Sequence, residues 1–279
     1  MMKKFANKVA AITGAGSGIG RALAQRLAQT GCHLALADID GEGLKESARL
    51  VAESGVRITT RELDVSDREA VGQWAQQVVS DHGQVNLLFN NAGIARNAPI
   101  ETGDLSVFET VMQINFWGAV YGTRAFLPLL RASGAGHIIN VSSVFGLIAT
   151  PYQSAYTSAK FAVRGFTDSL RMELELEEAP VSASCVFPGG VRTNIARSSR
   201  MQGDEPVSDD DIARFEATAP TSADEAAAII LDGVSSNARH VLVGEDAQEI
   251  DRKARELGAD YQEIVMARFR AASEAPENS

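Results

Sequence analysis

A doubly wound parallel α/β sheet of seven strands, with helices on both faces, is the fold this sequence predicts. Three observations carry that expectation. Seven short apolar runs alternate with longer amphipathic segments along the 279 residues. Several runs are apolar on both faces, as strands covered by helices on both sides must be. The first run ends in a glycine cluster, AITGAGSGIGRAL, which stands where a strand should hand over to a helix. Strand followed by helix, repeated, closes most simply as a parallel sheet with right-handed crossovers.

The runs are KVAAIT, CHLALAD, VRITTRELDV, VNLLFNN, GHIINVSS, VSASCVFPG and RHVLVG, in chain order. The segments between them carry helix signals. Ser66 with Glu69, and Ser222 with Glu225, fit a capping box, in which side chains satisfy free backbone N–H groups. Gly31 and Gly55 fall where helices should stop. A helix is expected to begin near Gly18. No linker or repeat divides the chain, so residues 1–279 read as one domain with a core over about 6–246. A polar, turn-rich stretch over 191–222 interrupts the pattern. A charged helical extension and tail occupy 247–279.

Composition narrows the function. There are 26 Lys and Arg against 36 Asp and Glu, a net charge of −10. That balance disfavours nucleic acid and anionic membranes as partners. Cys32 and Cys185 lie beside apolar runs and read as core residues. His33, His82, His137 and His240 are scattered, and neither C-x-x-C nor H-E-x-x-H occurs, so no metal site is expected. No stretch reaches the roughly 18 apolar residues of a membrane span, and the N-terminus lacks a signal-length apolar core. A soluble, cytoplasmic protein is the expectation.

Gly14, Gly16, Gly18 and Gly20 do not spell G-x-G-x-x-G, yet their place suits a phosphate. Backbone N–H groups at a helix start are unpaired and carry the positive end of the helix dipole. Glycine lets the backbone turn sharply and lets a pyrophosphate come close. The second run ends at Asp38, about 20 residues on, where a carboxylate can accept hydrogen bonds from ribose hydroxyls. A 2′-phosphate there would meet like charge, and the next residue is Ile39. NAD is therefore expected over NADP by at least about tenfold, or roughly 1.4 kcal/mol.

Tyr156 and Lys160 are four apart and share one helical face. Ser143 stands thirteen residues before Tyr156, at the end of a strand, and would project toward the glycine loop. Ser142 is the alternative hydroxyl; strand alternation lets one of the two face the site, and the spacing to Tyr156 favours Ser143.

Together these motifs resemble the short-chain dehydrogenase/reductase family, whose Rossmann-type fold matches the sheet predicted above. The resemblance rests on Thr13-Gly14-x-x-x-Gly18-Ile19-Gly20, Asn90-Asn91-Ala92-Gly93, Asn115, Ser143, Tyr156-x-x-x-Lys160 and Pro188-Gly189, in register from about Lys8 to Gly244. It implies that Tyr156 is the general acid/base, with Lys160 lowering its pKa and bonding the nicotinamide ribose. Ser143 would position the substrate oxygen. Asn115 would hold a water that links Lys160 to solvent. Gly14, Ser17, Gly18, Ile19 and Gly20 would hold the cofactor phosphates, with Asp38 on the adenosine ribose. Asp64 and Val65 would meet the adenine, Asn91 and Gly93 would line the cofactor, and Val191 and Thr193 would fix the carboxamide. One departure is Gly190, where the family often has a larger side chain, expected to widen the pocket or loosen the following loop.

The implied activity is NAD-dependent interconversion of a secondary alcohol and a ketone. The stretch over 191–222 would then be a substrate loop. Ile94, Phe145, Leu147, Ile148 and Tyr152 would line the pocket, with Arg96, Arg192 and Arg197 the nearby cations, so an uncharged, apolar substrate is expected. A homotetramer is expected, with a homodimer next. Two other readings compete. An epimerase or dehydratase of the same fold would need a larger C-terminal lobe. A silent NAD-binding sensor would be marked by a broken Ser, Tyr or Lys, and none is broken.

Overall fold

The computed structural model describes residues 5–193, 217 and 219–274. Most of the expected substrate loop, with Arg197, lies outside the described residues. Seven parallel strands form the central sheet in the order β3-β2-β1-β4-β5-β6-β9. They are β1 (Val9–Thr13), β2 (His33–Asp38), β3 (Ile58–Glu62), β4 (Leu87–Asn90), β5 (Gly136–Val141), β6 (Val181–Pro188) and β9 (His240–Val243). Each falls within one of the seven apolar runs. A separate parallel pair, β7 (Val191–Arg192) with β8 (Thr221–Ser222), lies just beyond β6.

The alternation of side chains along each strand builds two cores. Ala10 and Ile12 of β1, with Leu87 and Phe89 of β4, pack against α1 (Gly18–Gln29), α2 (Gly41–Val51) and α7 (Ala223–Ser235). Val9, Ala11 and Leu88 face the other way, onto α3 (Arg68–His82), α5 (Gly118–Ala132) and α6 (Ser154–Leu176). Period-two strands between two helical layers have no solvent face to give polar residues, which explains the unbroken apolar runs. Strand β3, at the sheet edge, is the exception: Thr60, Arg61 and Glu62 are exposed or partly so.

The helix ends follow the sequence closely. Gly31 and Gly55 take left-handed angles, φ +80 and +75, just past α1 and the turn that ends α2. Ser222 and Glu225 form a reciprocal capping box at α7. Ser66 does not cap α3. Asp67 does, accepting from Glu69 N and Ala70 N at 2.9 and 3.0 Å, while the Ser66 hydroxyl donates to Asp64 at 2.7 Å. A carboxylate next to the helix is the stronger acceptor and takes the two free donors.

Strand order reverses between β1 and β4, so their carboxyl ends open a crevice there. The C-terminal extension forms α8 (Glu245–Leu257) and α9 (Tyr261–Glu274). No described helix is long and apolar enough to cross a membrane. Cys32 and Cys185 are buried and free, and among the described residues no cluster of His, Cys, Asp or Glu could hold a metal.

Candidate active site

The loop after β1 is shaped by contacts that leave no room for side chains. A Cβ at Gly20 would stand 2.0 Å from the Gly14 carbonyl oxygen, and one at Gly14 would stand 2.8 Å from Asn91 Nδ2. Gly14 also takes φ +64, a conformation that favours glycine. Asn91 Nδ2 donates to Thr13 O and Gly14 O at 3.0 and 3.2 Å. The Thr13 hydroxyl accepts from Asn91 N and Ala92 N at 3.0 and 3.1 Å. Thus Asn91 holds the loop itself in shape, stitching the end of β1 to the end of β4. Helix α1 begins at Gly18 behind Ser17, whose side chain makes no capping bond, so the first backbone N–H groups face the crevice uncapped. Ile19 packs on the core beneath.

Asp38, at the tip of β2, reaches the same loop. Its Oδ2 accepts from Gly16 N at 2.7 Å and its Oδ1 from Asp40 N at 2.9 Å. Asp40 caps α2 through Glu42 N and Gly43 N. Two carboxylates therefore stand side by side there. Arg21 is committed elsewhere: it donates to Ser47 Oγ at 2.9 Å, to Gly43 O at 3.1 Å and to Gly16 O. After β3, exposed Asp64 folds onto Ser66 N at 2.8 Å, and buried Val65 packs beneath Gly118. This tight glycine cradle, an uncapped helix start and a carboxylate at the strand tip fit a dinucleotide. Gly14, Ser17, Gly18, Ile19 and Gly20 would hold its phosphates and Asp38 its ribose.

The candidate catalytic residues lie one strand over. Ser143 follows β5, and its hydroxyl accepts from Phe145 N at 3.2 Å. Tyr156 and Lys160 project from the first turns of α6, buried to 7% and 4% exposure. Lys160 Nζ lies 5.4 Å from the Tyr156 ring centroid and donates to Val141 O at 3.0 Å. The two serines separate cleanly: Ser142 Oγ donates to Lys160 O at 2.8 Å, whereas Ser143 stands near enough to Tyr156 to favour its phenolate.

The charge balance differs from the expectation. Burial pushes the Tyr156 phenol up to about 12, with the Ser143 hydroxyl nearby pulling against that rise. Burial pushes the Lys160 ammonium down to about 8. Position four on the helix brings the pair together, and desolvation is the largest cause of both shifts because both groups leave water.

Asn115 sits in a π-helical turn over Gln113–Trp117, between α4 (Leu105–Met112) and α5. Its side chain is clamped to one residue: Oδ1 accepts from Ile94 N and Nδ2 donates to Ile94 O, each at 2.8 Å. A Cβ at Gly93 would lie 3.0 Å from Asn115 Oδ1 and 3.5 Å from Lys160 Nζ. Gly93, Asn115 and Lys160 therefore meet. Thr193 lies against Gly18, its Cβ 3.1 Å from where a Gly18 Cβ would be, so the segment after β6 returns to the glycine loop. Val191 is buried beside it.

Asn90 of the Asn-Asn-Ala-Gly motif, with Asn140 and Thr167 from outside the motifs, holds this arrangement. Asn90 Nδ2 donates to Asn140 Oδ1 at 2.8 Å, and Asn140 Nδ2 donates to Thr167 Oγ1 at 3.0 Å. Asn90 also reaches Ala119 O and Thr123 Oγ1, both at 3.2 Å. A buried polar chain thereby fixes α6, with Tyr156 and Lys160, to β5, β4 and α5. Two asparagines in otherwise apolar strands were the available signal.

Around Tyr156 the walls are apolar. Ile94, Phe108, Met112, Phe116 and Phe145 pack on it and its neighbours, and Phe145 meets the Tyr156 ring edge-on at 6.1 Å between centroids. Tyr152 is 59% exposed on the rim, and its carbonyl accepts from Ala98 N, tying the loops after Gly93 and Ser143 together. Arg192 donates to Ala219 O and Pro220 O at 2.6 and 3.2 Å. Gly190 does not widen the pocket: a Cβ there would meet Pro220 Cδ at 3.1 Å and Ala219 Cα at 3.3 Å. Beyond Ile148, a cavity of about 120 Å³ is walled by Ile250, Leu257, Tyr261 and Ile264 of the C-terminal extension. The Tyr261 hydroxyl accepts from Ala149 N at 3.0 Å and pins the extension to the loop after Ser143.

Known proteins share this architecture. The sequence profile of the short chain dehydrogenases matches residues 8–204. SadH of Mycobacterium tuberculosis, an oxidoreductase by name, is 46% identical over 268 residues, covering 95% of this chain and 96% of its own. A short chain dehydrogenase/reductase from Burkholderia phymatum, crystallised with NAD, superposes with a TM-score of 0.84 at 28% identity. That match covers 91% of this chain and 95% of the other. An alcohol dehydrogenase from Thermococcus sibiricus, complexed with 5-hydroxy-NADP, gives a TM-score of 0.67 at 29% identity, over 82% and 89% of the two chains.

Proposed function

The chain belongs to the short-chain dehydrogenase/reductase family and is an oxidoreductase, and from that premise we propose that it interconverts an uncharged, apolar secondary alcohol and its ketone with NAD. One observation carries this reading: Tyr156 is packed among apolar side chains with Ser143 near it and Lys160 beside its ring, and Lys160 in turn lies against Gly93. Bound there, NAD would supply the hydride acceptor for oxidation of the alcohol carbon, and its reduced form the hydride donor for reduction of the ketone. Ser143 orients the substrate oxygen by a hydrogen bond. Tyr156 takes the proton from that oxygen in oxidation and gives it back in reduction. Lys160 favours the phenolate by its charge, and Asn115, clamped to Ile94 beside Gly93 and Lys160, would hold the water that links Lys160 to solvent. Val191 and Thr193 hold the carboxamide end, Asp64 and Val65 the adenine, and Asn91 and Gly93 the middle. Ile94, Phe145 and the other apolar walls, with Arg192 spent on backbone carbonyls, support an uncharged substrate.

Oxidation needs the phenolate, and burial keeps the phenol protonated through neutral pH. Raising pH supplies the base, so kcat/KM for oxidation should climb close to tenfold per unit from about pH 7. The rise slackens above about 8, where Lys160 loses its proton and the charge that favours the phenolate fades. Reduction uses the protonated phenol and should stay flat over the same range. Initial rates in both directions across pH check this; an oxidation rate independent of pH contradicts it.

Cofactor choice follows from Asp38 and Asp40. A 2′-phosphate would face both carboxylates, while Arg21 is held by Gly16, Gly43 and Ser47. Preference for NAD of at least about tenfold in kcat/KM is expected. Ile39 is 68% exposed beside this spot. The pair Asp38→Ser with Ile39→Arg removes the repelling charge and adds a cation, and should bring the two cofactors level or reverse them. Equal use of both by the unaltered chain contradicts the reading. Trp117 and Phe161, exposed on the α5 and α6 sides, are faces a homotetramer or homodimer would cover.

A further inference from the structure

The C-terminal extension reaches the cofactor side of the site through one carboxylate. Asp246 is the second residue of α8, and its partly buried side chain reaches back to the turn after β6. Its Oδ2 accepts from Gly190 N at 2.6 Å. Its Oδ1 is buried with no hydrogen-bond partner. The carboxylate fills the space that side chains would otherwise need. A Cβ on Gly189 would lie 2.3 Å from both oxygens, and one on Gly244 would lie 2.5 Å from Oδ1. The lack of a side chain at Gly189 is thus the imprint of this one group, and Gly244, before α8, also leaves room for it.

What the carboxylate holds is the turn that leads to Val191 and Thr193. Gly189 N donates to Val243 O at 3.0 Å, and Thr221 N donates to Gly190 O at 3.2 Å. Val191 pairs with Thr221 in the small sheet. Two residues later Thr193 rests on Gly18 of the glycine loop. A rigid line therefore runs from α8 through Asp246 to the Gly189–Gly190 turn and on to Thr193. A buried carboxylate accepting one short, charge-assisted bond is a stiff anchor, and glycines without it would leave the turn loose.

We propose that Asp246 is a positioning residue for the nicotinamide half of the cofactor site. It fixes the turn from which Val191 and Thr193 extend, and so couples the C-terminal extension to cofactor geometry. The proposal rests on the dinucleotide reading given above. It concerns one half of that ligand only: the adenosine ribose would lie at Asp38, at the tip of β2, with three strands between β2 and β6 in the sheet.

That division gives the test. Titration calorimetry on the whole chain would compare NAD with ADP-ribose, which keeps both phosphates and the adenosine but lacks the nicotinamide ring. Asp246→Ala should weaken NAD about tenfold and leave ADP-ribose within about twofold. Asp246→Asn keeps an oxygen that can accept from Gly190 N, so NAD binding should recover to within about threefold of the original. Gly189→Ala forces the carboxylate aside and should reproduce the Asp246→Ala pattern. The double variant Gly189→Ala with Asp246→Ala should bind NAD no worse than Asp246→Ala alone, since the clash is gone. Equal weakening of both ligands, or unchanged NAD binding in Asp246→Ala, overturns the proposal. Failure of the unaltered chain to bind either ligand overturns the dinucleotide reading instead, and the positioning role with it.

Discussion

Tyr156→Phe is expected to lower kcat by about 10³-fold or more, close to 4 kcal/mol of transition-state stabilisation. The ring stays and only the hydroxyl leaves, so the packing with Phe145, Ala155 and Ala159 survives. The lost approach to Ser143 concerns a group that burial already disfavours in its charged form. Stability should therefore change by no more than about 1 kcal/mol. Binding of NAD should stay within about threefold. That combination distinguishes a catalytic hydroxyl from a structural one. Stopped-flow rates, thermal unfolding and cofactor titration on the same preparation provide the three readings. Residual turnover near that of the unaltered chain would remove Tyr156 from the chemistry and move attention to exposed Tyr152.

Gly20→Ala should abolish dinucleotide binding, weakening it by about 100-fold or more, near 3 kcal/mol. Two effects oppose each other here. Gly20 lies in the first turn of α1, where alanine improves helix propensity by about 1 kcal/mol. Against that, the new Cβ would lie 2.0 Å from Gly14 O, 2.7 Å from Gly14 C and 2.7 Å from Asn91 Nδ2. Backbone atoms cannot swing aside as a side chain can, so the whole loop must move, and with it the Thr13–Asn91 stitch. Sterics win because the overlap is with the element that would shape the phosphate site. Gly72→Ala on α3 is the control: its Cβ meets nothing within 4 Å, so propensity acts alone and stability should rise by up to about 1 kcal/mol. Calorimetric titration of NAD and thermal unfolding of both variants decide the matter.

The fold was legible because buried strands leave a plain mark. Each of the seven strands lies under helices on at least one side, and its run of apolar residues says so. Edge strand β3 is shorter than its run suggests, since Arg61 and Glu62 face solvent and Leu63 to Val65 already turn toward α3. The capping error at α3 is local. Ser66 and Asp67 are adjacent candidates, and only geometry shows that Ser66 is spent on Asp64 while Asp67 takes two backbone donors.

At the site, sequence spacing told which residues meet but not what meeting costs. The i, i+4 relation puts Tyr156 and Lys160 on one face, and the structure brings them together. Spacing carries no information on burial, and burial sets both titrations. Asn115 reads as a polar residue in an apolar helix; that it stands in a π turn and clamps Ile94 depends on a loop 21 residues away. Asp246 is the clearest omission. It is 56 residues from Gly190, at the start of a charged helix where acidic residues are ordinary partners of the helix dipole. Only the oddity of a second glycine after Pro188 pointed toward it.

The most direct test of the central claim follows the absorbance of reduced nicotinamide as the protein and NAD meet a panel of secondary alcohols. The panel should run from short aliphatic to cyclic, aryl and long-chain members, with phosphorylated sugars and acyl thioesters alongside. Oxidation of one or more uncharged apolar alcohols, lost in Tyr156→Phe, is the predicted result. Binding of NAD with turnover only of the charged compounds, or of none across the whole panel, would contradict the account.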